Sequence, residues 1–139
     1  MEKKELEEIL EKHAAWLRGE PDGKKASLDG ASLNGASLNG ASLDGASLNR
    51  ASLNRASLIW ASLDGASLNG ASLDKADIDF TAWPLWCGTK NVKVDERIAA
   101  QIAAHFCVLD CDSEDYQRAR TAILDFAKKS HRASDLGLL

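Results

Sequence analysis

The chain has 139 residues and a mass of 15.0 kDa, with 45% apolar and 27% charged residues, which suits one globular domain with appendages. A net charge of −4 argues against a general nucleic-acid binder, so no direct nucleic-acid partner is expected. No apolar run approaches the roughly 18 residues of a membrane span, and the first ten residues, MEKKELEEIL, lack the apolar centre of a secretory signal.

Residues 2–18 predict a helix, with Leu6, Ile9, Leu10, His13 and Leu17 at three- and four-residue spacing. Gly19 and Pro21 supply the stop, and Pro21-Asp22-Gly23 predicts a turn. Residues 1–25 are thus expected to form an N-terminal cap.

From Ala26 to Lys75 the chain repeats every five residues, and ten consecutive pentads open with Ala-Ser-Leu. Ala76-Asp77-Ile78-Asp79-Phe80 is a looser eleventh, and Thr81 to Leu85 reads as a twelfth. At about 100° per residue, five helical residues advance one turn plus about 140°, so leucines at this period form no helical face. Strand alternation has period two, which sends residues five apart to opposite faces. The leucines share an interior only if the chain turns once per pentad. The expected inward ladder is therefore Leu28, Leu33, Leu38, Leu43, Leu48, Leu53, Leu58, Leu63, Leu68, Leu73, Ile78 and Trp83, with Ala beside it. Ser is expected to face solvent, and Asn, Asp and Gly to make the turns. A short-period coil that stacks on itself is a solenoid.

The repeated Ala-Ser-Leu-x-x resembles the pentapeptide-repeat family, whose pattern is A(D/N)LXX, over residues 26–80. The segment from Phe80 to Gly88 resembles more loosely the bacterial or phage-type members that carry terminal helices. The resemblance implies a mainly β fold, a right-handed quadrilateral parallel β-helix with four pentads per coil. Twelve pentads over residues 26–85 then give about three coils, close to the minimum for a stable stack, which also needs capped ends, so the flanks are expected to matter to folding. It also implies topoisomerase (gyrase) inhibition by DNA mimicry as an alternative activity. Against that activity, Asp29, Asp44, Asp64, Asp74, Asp77 and Asp79 are opposed by Arg50, Arg55 and Lys75, leaving a weak acidic field.

With a twenty-residue coil, Arg50 falls between Gly30 and Gly70, Arg55 between Gly35 and Lys75, and Trp60 between Gly40 and Phe80. Ile59 stands where Asn or Asp is usual. Arg50, Arg55, Ile59, Trp60 and Phe80 are the candidate interaction patch, able to meet an anion, a glycan or a protein, with Trp60 stacked on Phe80. The plainer reading is a surface chosen for packing or solubility.

Residues 86–139 are expected to form a C-terminal helical cap and tail. Asp95 predicts an N-cap for a helix over 95–109, with a stripe of Ile98, Ile102, Phe106 and Leu109. A further helix starting at Asp112 or Ser113 would turn Ala119, Ile123 and Phe126 inward, and Arg132 to Leu139 reads as a frayed tail. These helices offer a route to a homodimer, as in some family members. Cys87, Cys107 and Cys111 could join His105 or His131 at zinc, but without any CxxC the better reading is buried thiols, with His13 and His105 partly buried on their helices. An odd cysteine count also points to a reducing, cytoplasmic setting.

No histidine lies within the array to activate a serine, and no phosphate-binding loop is present, so neither enzyme chemistry nor a cofactor is expected. Ten unchanged Ala-Ser-Leu triplets suggest an idealised, engineered consensus array used as a rigid scaffold or display module. A protein-interaction module is the alternative. Leu58→Ala is expected to cost about 2–5 kcal/mol, and Ser57→Ala less than about 0.5 kcal/mol.

Overall fold

The computed structural model describes residues 1–85 and 87–139, with Cys87 described by its backbone alone. It divides into two compact units, Met1–Lys93 and Val94–Leu139. Among the described residues no helix is long and apolar enough to cross a membrane.

In the first unit the chain bends after every leucine. Ala31 N donates to Leu28 O at 3.0 Å, Ala36 N to Leu33 O at 3.0 Å, and so on along the array. Each turn carries a positive φ at the pentad's fifth residue, from 58° at Lys75 to 71° at Gly45. A positive φ at the third turn residue is the requirement of a type II turn and the reason glycine dominates there. Four such turns bring the chain back on itself. Parallel bridges join residues twenty apart, Ser27 to Ser47, Ser32 to Ser52, Ser37 to Ser57 and Ser42 to Ser62, then on into the next coil. Leu28 N donates to Ser47 O at 2.7 Å and Ser47 N to Ala26 O at 3.0 Å, and this pair of bonds recurs on every side. The expected mainly β character takes a restricted form: these are isolated bridges, and no extended strand forms among the described residues.

The interior is a stack of aliphatic groups. Leu28 through Leu73 are each at most 2% exposed, and Ile78 is 7% exposed. Trp83 departs from the expected ladder: it is only half-buried, while Pro84 behind it is buried. The cause is one extra residue. Leu63 N still meets Ala82 O in frame at 3.0 Å, but Leu68 N meets Gly88 O, one residue later than the pentad frame requires. The pairing then continues through residues with no Ala-x-Leu pattern. Gly70 N donates to Lys90 O at 3.0 Å, and Ser72 bridges to Lys93. The stacked coils thus run to Lys93 rather than stopping at Leu85.

Helix α1 (Lys3–Leu17) packs within the same unit. It ends in a Schellman motif: Gly19 at φ 72° donates to Trp16 O at 2.9 Å, and Glu20 N to Ala15 O at 3.0 Å. Leu6 and His13 are its buried residues, while Leu17 is exposed. The link from helix to array passes so close to α1 that a Cβ on Gly23 would sit 2.3 Å from Trp16 N, so only glycine fits.

The second unit pairs α2 (Glu96–Cys107) with α3 (Glu114–Ala127). Asp95 caps α2 by accepting from Ile98 N, and Ser113 caps α3 by accepting from Tyr116 N. The expected α2 stripe is displaced. Ile102 and Leu109 are exposed, and the buried line is Ile98, Ala100, Gln101, Ala104 and Cys107, of which the small Ala104 and Cys107 join the core with Ala127 of α3. Ala119 likewise faces solvent, and Ile123 with Leu124 packs on the core in its place. Side chains of α3 meet carbonyls at and just past the end of α2: the one Tyr116 O–H is shared between Phe106 O and Leu109 O, each 2.9 Å away, and Arg120 Nε donates to Cys107 O at 2.7 Å. The tail is not frayed. Gly137 at φ 66° donates to Ser134 O, Leu138 N donates to Ala133 O at 2.9 Å, and Ala133 and Leu138 are buried in the core of this unit.

Candidate functional site

Every residue of the candidate patch lies on the outer surface of the array, and the coil geometry decides which of them meet. Fifth positions twenty apart form a column at one corner. Fifth positions five apart belong to neighbouring corners, separated by a whole side. Arg50, Arg55 and Trp60 therefore occupy three different corners and do not form one patch. Arg50 shares its column with Gly30 and Gly70; its Cγ lies 3.6 Å from where a Cβ on Gly70 would be. With Asp29, Gly30, Asn49 and Asn69 it lines a shallow open groove. Arg55 stands in the column of Gly35 and Lys75, and both Arg55 and Lys75 are exposed.

Trp60 and Phe80 do come together. Their rings stack with centroids 4.2 Å apart and planes within 8°, leaving Trp60 67% and Phe80 53% exposed. The stacking distance follows from the coil rise, since neighbouring bridged segments lie about 4.8 Å apart. The column's third member is Gly40, where a Cβ would meet nothing within 4 Å, so no side chain stands over the indole there. Both aromatics hold the positive φ that the turn imposes, 62° at Trp60 and 59° at Phe80, as do Arg50, Arg55 and Lys75. For a residue with a Cβ that conformation costs roughly 1–2 kcal/mol.

The fourth positions carry a feature the sequence reading missed. The serines do not simply face solvent. Ser47 Oγ donates to Asp29 Oδ1 at 2.5 Å, and the same oxygen accepts from Asn49 N at 2.9 Å. Asn34 serves Ser52 Oγ at 2.6 Å and Asn54 N at 3.0 Å; Asn49 serves Ser67 Oγ at 2.5 Å and Asn69 N at 3.1 Å. The fourth-position oxygens of Asp29, Asn34, Asn39, Asp44, Asn49 and Asn54 each staple two donors of the next coil in this way. Ile59 has no such oxygen. Below it the serine position is Asp77, whose own Oδ1 accepts from Asp79 N at 3.1 Å, and Thr81 Oγ1 reaches back to Leu58 O at 2.8 Å. Two departures from the repeat, Ile59 and Asp77, are therefore one compensated change. The signal in the sequence is their eighteen-residue spacing, the same that separates Asp29 from Ser47.

The serines are hydrogen-bond donors to the amides and carboxylates of the coil above. Asp44 and Asp64 are the one pair of acids stacked in a fourth-position column of the array, so the walls carry no continuous acidic ribbon. Cys107 is buried and Cys111 half-buried, both as free thiols. Helix α2 ends at Cys107, so the two do not share a helical face, and His105 is exposed rather than partly buried. The Cys87 side chain lies outside the described residues, and no metal-binding cluster occurs among those described.

The repeats of the array match a known family. The family model for pentapeptide repeats (8 copies) matches residues 26–58 and 51–82. Among solved structures, HetL from the cyanobacterium Nostoc sp. strain PCC 7120, a pentapeptide repeat protein involved in heterocyst differentiation regulation, is 29% identical, with a TM-score of 0.30 over 50% of this chain and 36% of that one. The pentapeptide repeat protein Rfr23 from Cyanothece 51142 is 31% identical, with a TM-score of 0.22 over 51% of this chain and 41% of its own. The chain thus spans well under half the length of either protein. Comparison with curated proteins finds no match.

Proposed function

We propose that this chain, whose residues 26–82 match the pentapeptide-repeat family, a protein-interaction type of family, is a non-enzymatic display scaffold whose contact feature is the Trp60–Phe80 stack. The observation that carries this reading is the placement of two large aromatic rings at turn positions built for glycine. Nothing in the interior needs them there: Leu58 and Ile78 beneath them are buried as elsewhere in the ladder. Bulky residues held at a disfavoured φ on a rigid wall are costs accepted for a surface property. Aromatic rings with one face supported and much of their area exposed are the side chains that anchor protein contacts.

The unchanging Ala-Ser-Leu triplet supports an idealised, engineered array in which corners vary while the Ala and Leu core does not. Arg50 and Arg55, at separate corners, are further display positions. The free thiols Cys107 and Cys111 suit a reducing cytoplasm. A DNA-mimic gyrase inhibitor needs a continuous acidic wall, which the fourth-position columns lack.

Panning a displayed random-peptide library against the immobilised full chain, with counter-selection on the double variant Trp60→Gly, Phe80→Gly, tests the reading. Clones that bind the wild type and not the double variant are the expected result. Clones that bind both equally would remove the stack's role. A gyrase supercoiling assay is expected to show no inhibition.

A further inference from the structure

Helix α1 is fastened to the first coil through a histidine. His13 is completely buried, and its Nδ1 accepts a hydrogen bond from Ala26 N at 3.1 Å. Ala26 is the first residue of the array, and its carbonyl accepts from Ser47 N at 3.0 Å, so this bond ties the helix directly to the first rung of the ladder. The imidazole stacks on Trp16 at 5.4 Å and 12°. Trp16 in turn lies along the first coil's last corner, its ring 3.7 Å from where a Cβ on Gly45 would be, with Lys25 Nζ 5.9 Å from its centroid. The other ring nitrogen, Nε2, is buried without a hydrogen-bond partner.

We propose that His13 is a proton-operated latch: with Nδ1 bare it holds α1 on the first coil, and with Nδ1 protonated the helix undocks. An accepting Nδ1 requires the neutral ring, with its one proton on Nε2. A second proton has only Nδ1 to occupy, where it faces the Ala26 N–H donor to donor and places a charge in an apolar site. Asp44 on the first coil favours the proton through both its carboxylate and its backbone, and Lys25 in the connecting segment opposes it; from α1 the ring meets the indole of Trp16. Burial outweighs both charges and holds the imidazole below its ordinary value of about 6.5. The sign follows from that depression. The docked form binds fewer protons than the released one, so docking is at full strength above about pH 6.5 and weakens as the pH falls below it. Release would uncover Leu6 and the upper edge of the first coil, whose serines Ser27 to Ser42 have no preceding coil to pair with.

The latch is independent of the aromatic stack and of any partner. Its test is a pair of measurements on the full chain: the NMR titration of the His13 ring, and hydrogen exchange of the α1 amides from pH 7.5 to 4.5, corrected for intrinsic rates. The expected result is a His13 titration below about 6.5, with α1 exchange rising by up to about tenfold per pH unit beneath that window. His13→Asn, which offers an acceptor oxygen near Nδ1 but cannot titrate, should abolish the pH dependence. A ring that titrates at or above about 6.5, α1 protection that stays constant to pH 4.5, or the same acceleration in His13→Asn would each overturn the latch. Should the variant fail to dock α1 at any pH, the two wild-type measurements still decide it.

Discussion

The stacked coils of residues 26–82 and the helical unit of residues 94–139 solve the same problem by opposite means. In the coils the backbone bonds recur every twenty residues, and one side-chain pattern serves each side except where Ile59 and Asp77 depart from it. In the helical unit nothing repeats. The ends of α2 are met by Asp95 at one side and by Tyr116 and Arg120 at the other, and a glycine-terminated turn folds Leu138 back into the core. Periodic structure constrains every interior residue equally, because the rungs above and below fix its space. Irregular structure concentrates the constraint in a few caps.

Leu58→Ala tests that difference most severely. Leu58 is 1% exposed, between Leu38 in the coil above and Ile78 in the coil below, and backbone bonds on both sides hold those coils at fixed spacing. The walls cannot close over the missing carbons, so the expected loss is about 2–5 kcal/mol in denaturant unfolding. Ile123→Ala in the helical unit removes a side chain that is only half-buried, where α3 can settle, and should cost less, about 1–2 kcal/mol. Equal losses would show that the coil spacing is softer than its hydrogen bonds imply.

Ser57→Ala comes next. Ser57 Oγ donates to Asn39 Oδ1 at 2.5 Å, which moves the expected cost from under 0.5 up to about 0.5–1.5 kcal/mol. Asn39 Oδ1 keeps its second bond, from Ile59 N at 3.1 Å, so the oxygen is not orphaned and the upper end of that range is not expected. A cost near zero in thermal or denaturant unfolding would reduce the Ser–Asx staples to surface decoration.

That revision shows where the sequence was readable. The inward leucines and the Trp60–Phe80 column follow from a period of five and a coil of twenty, which identical pentads display openly. The staples needed one more step, the eighteen-residue offset between a fourth position and the next coil's serine, which no single pentad contains. The run to Lys93 was not legible, because backbone bonds carry the coil through Gly88, Lys90 and Lys93 without help from side-chain identity. The placement of Trp83 was lost for the related reason that one inserted residue shifts the frame without leaving a mark in composition. In the helical unit, reading Ile102 as inward weighted size over fit: α2 contributes the small Ala104 and Cys107 to the core shared with Ala127. Gly137 followed by Leu138 was a legible cap passed over near a chain end.

The smallest expected effect is also the most diagnostic of the corners. Arg55 adopts φ 60°, in a column shared with Gly35, whose absent Cβ would meet nothing within 4 Å. Arg55→Gly removes the steric cost of a left-handed residue with a Cβ, roughly 1 kcal/mol, and gives back part of it as the greater freedom of glycine in the unfolded chain. It also separates Lys75 from a like charge in the same column. The balance favours the variant by about 0.5 kcal/mol. Gly35→Ala, which adds the same Cβ strain with no contact to relieve or reward it, should destabilise by about 1 kcal/mol. Opposite signs for these two changes, measured in one buffer by the same unfolding assay, would establish that corner residues are chosen against local stability. A loss on Arg55→Gly would instead mean that the guanidinium stabilises the fold, and that at least one corner is structural rather than displayed.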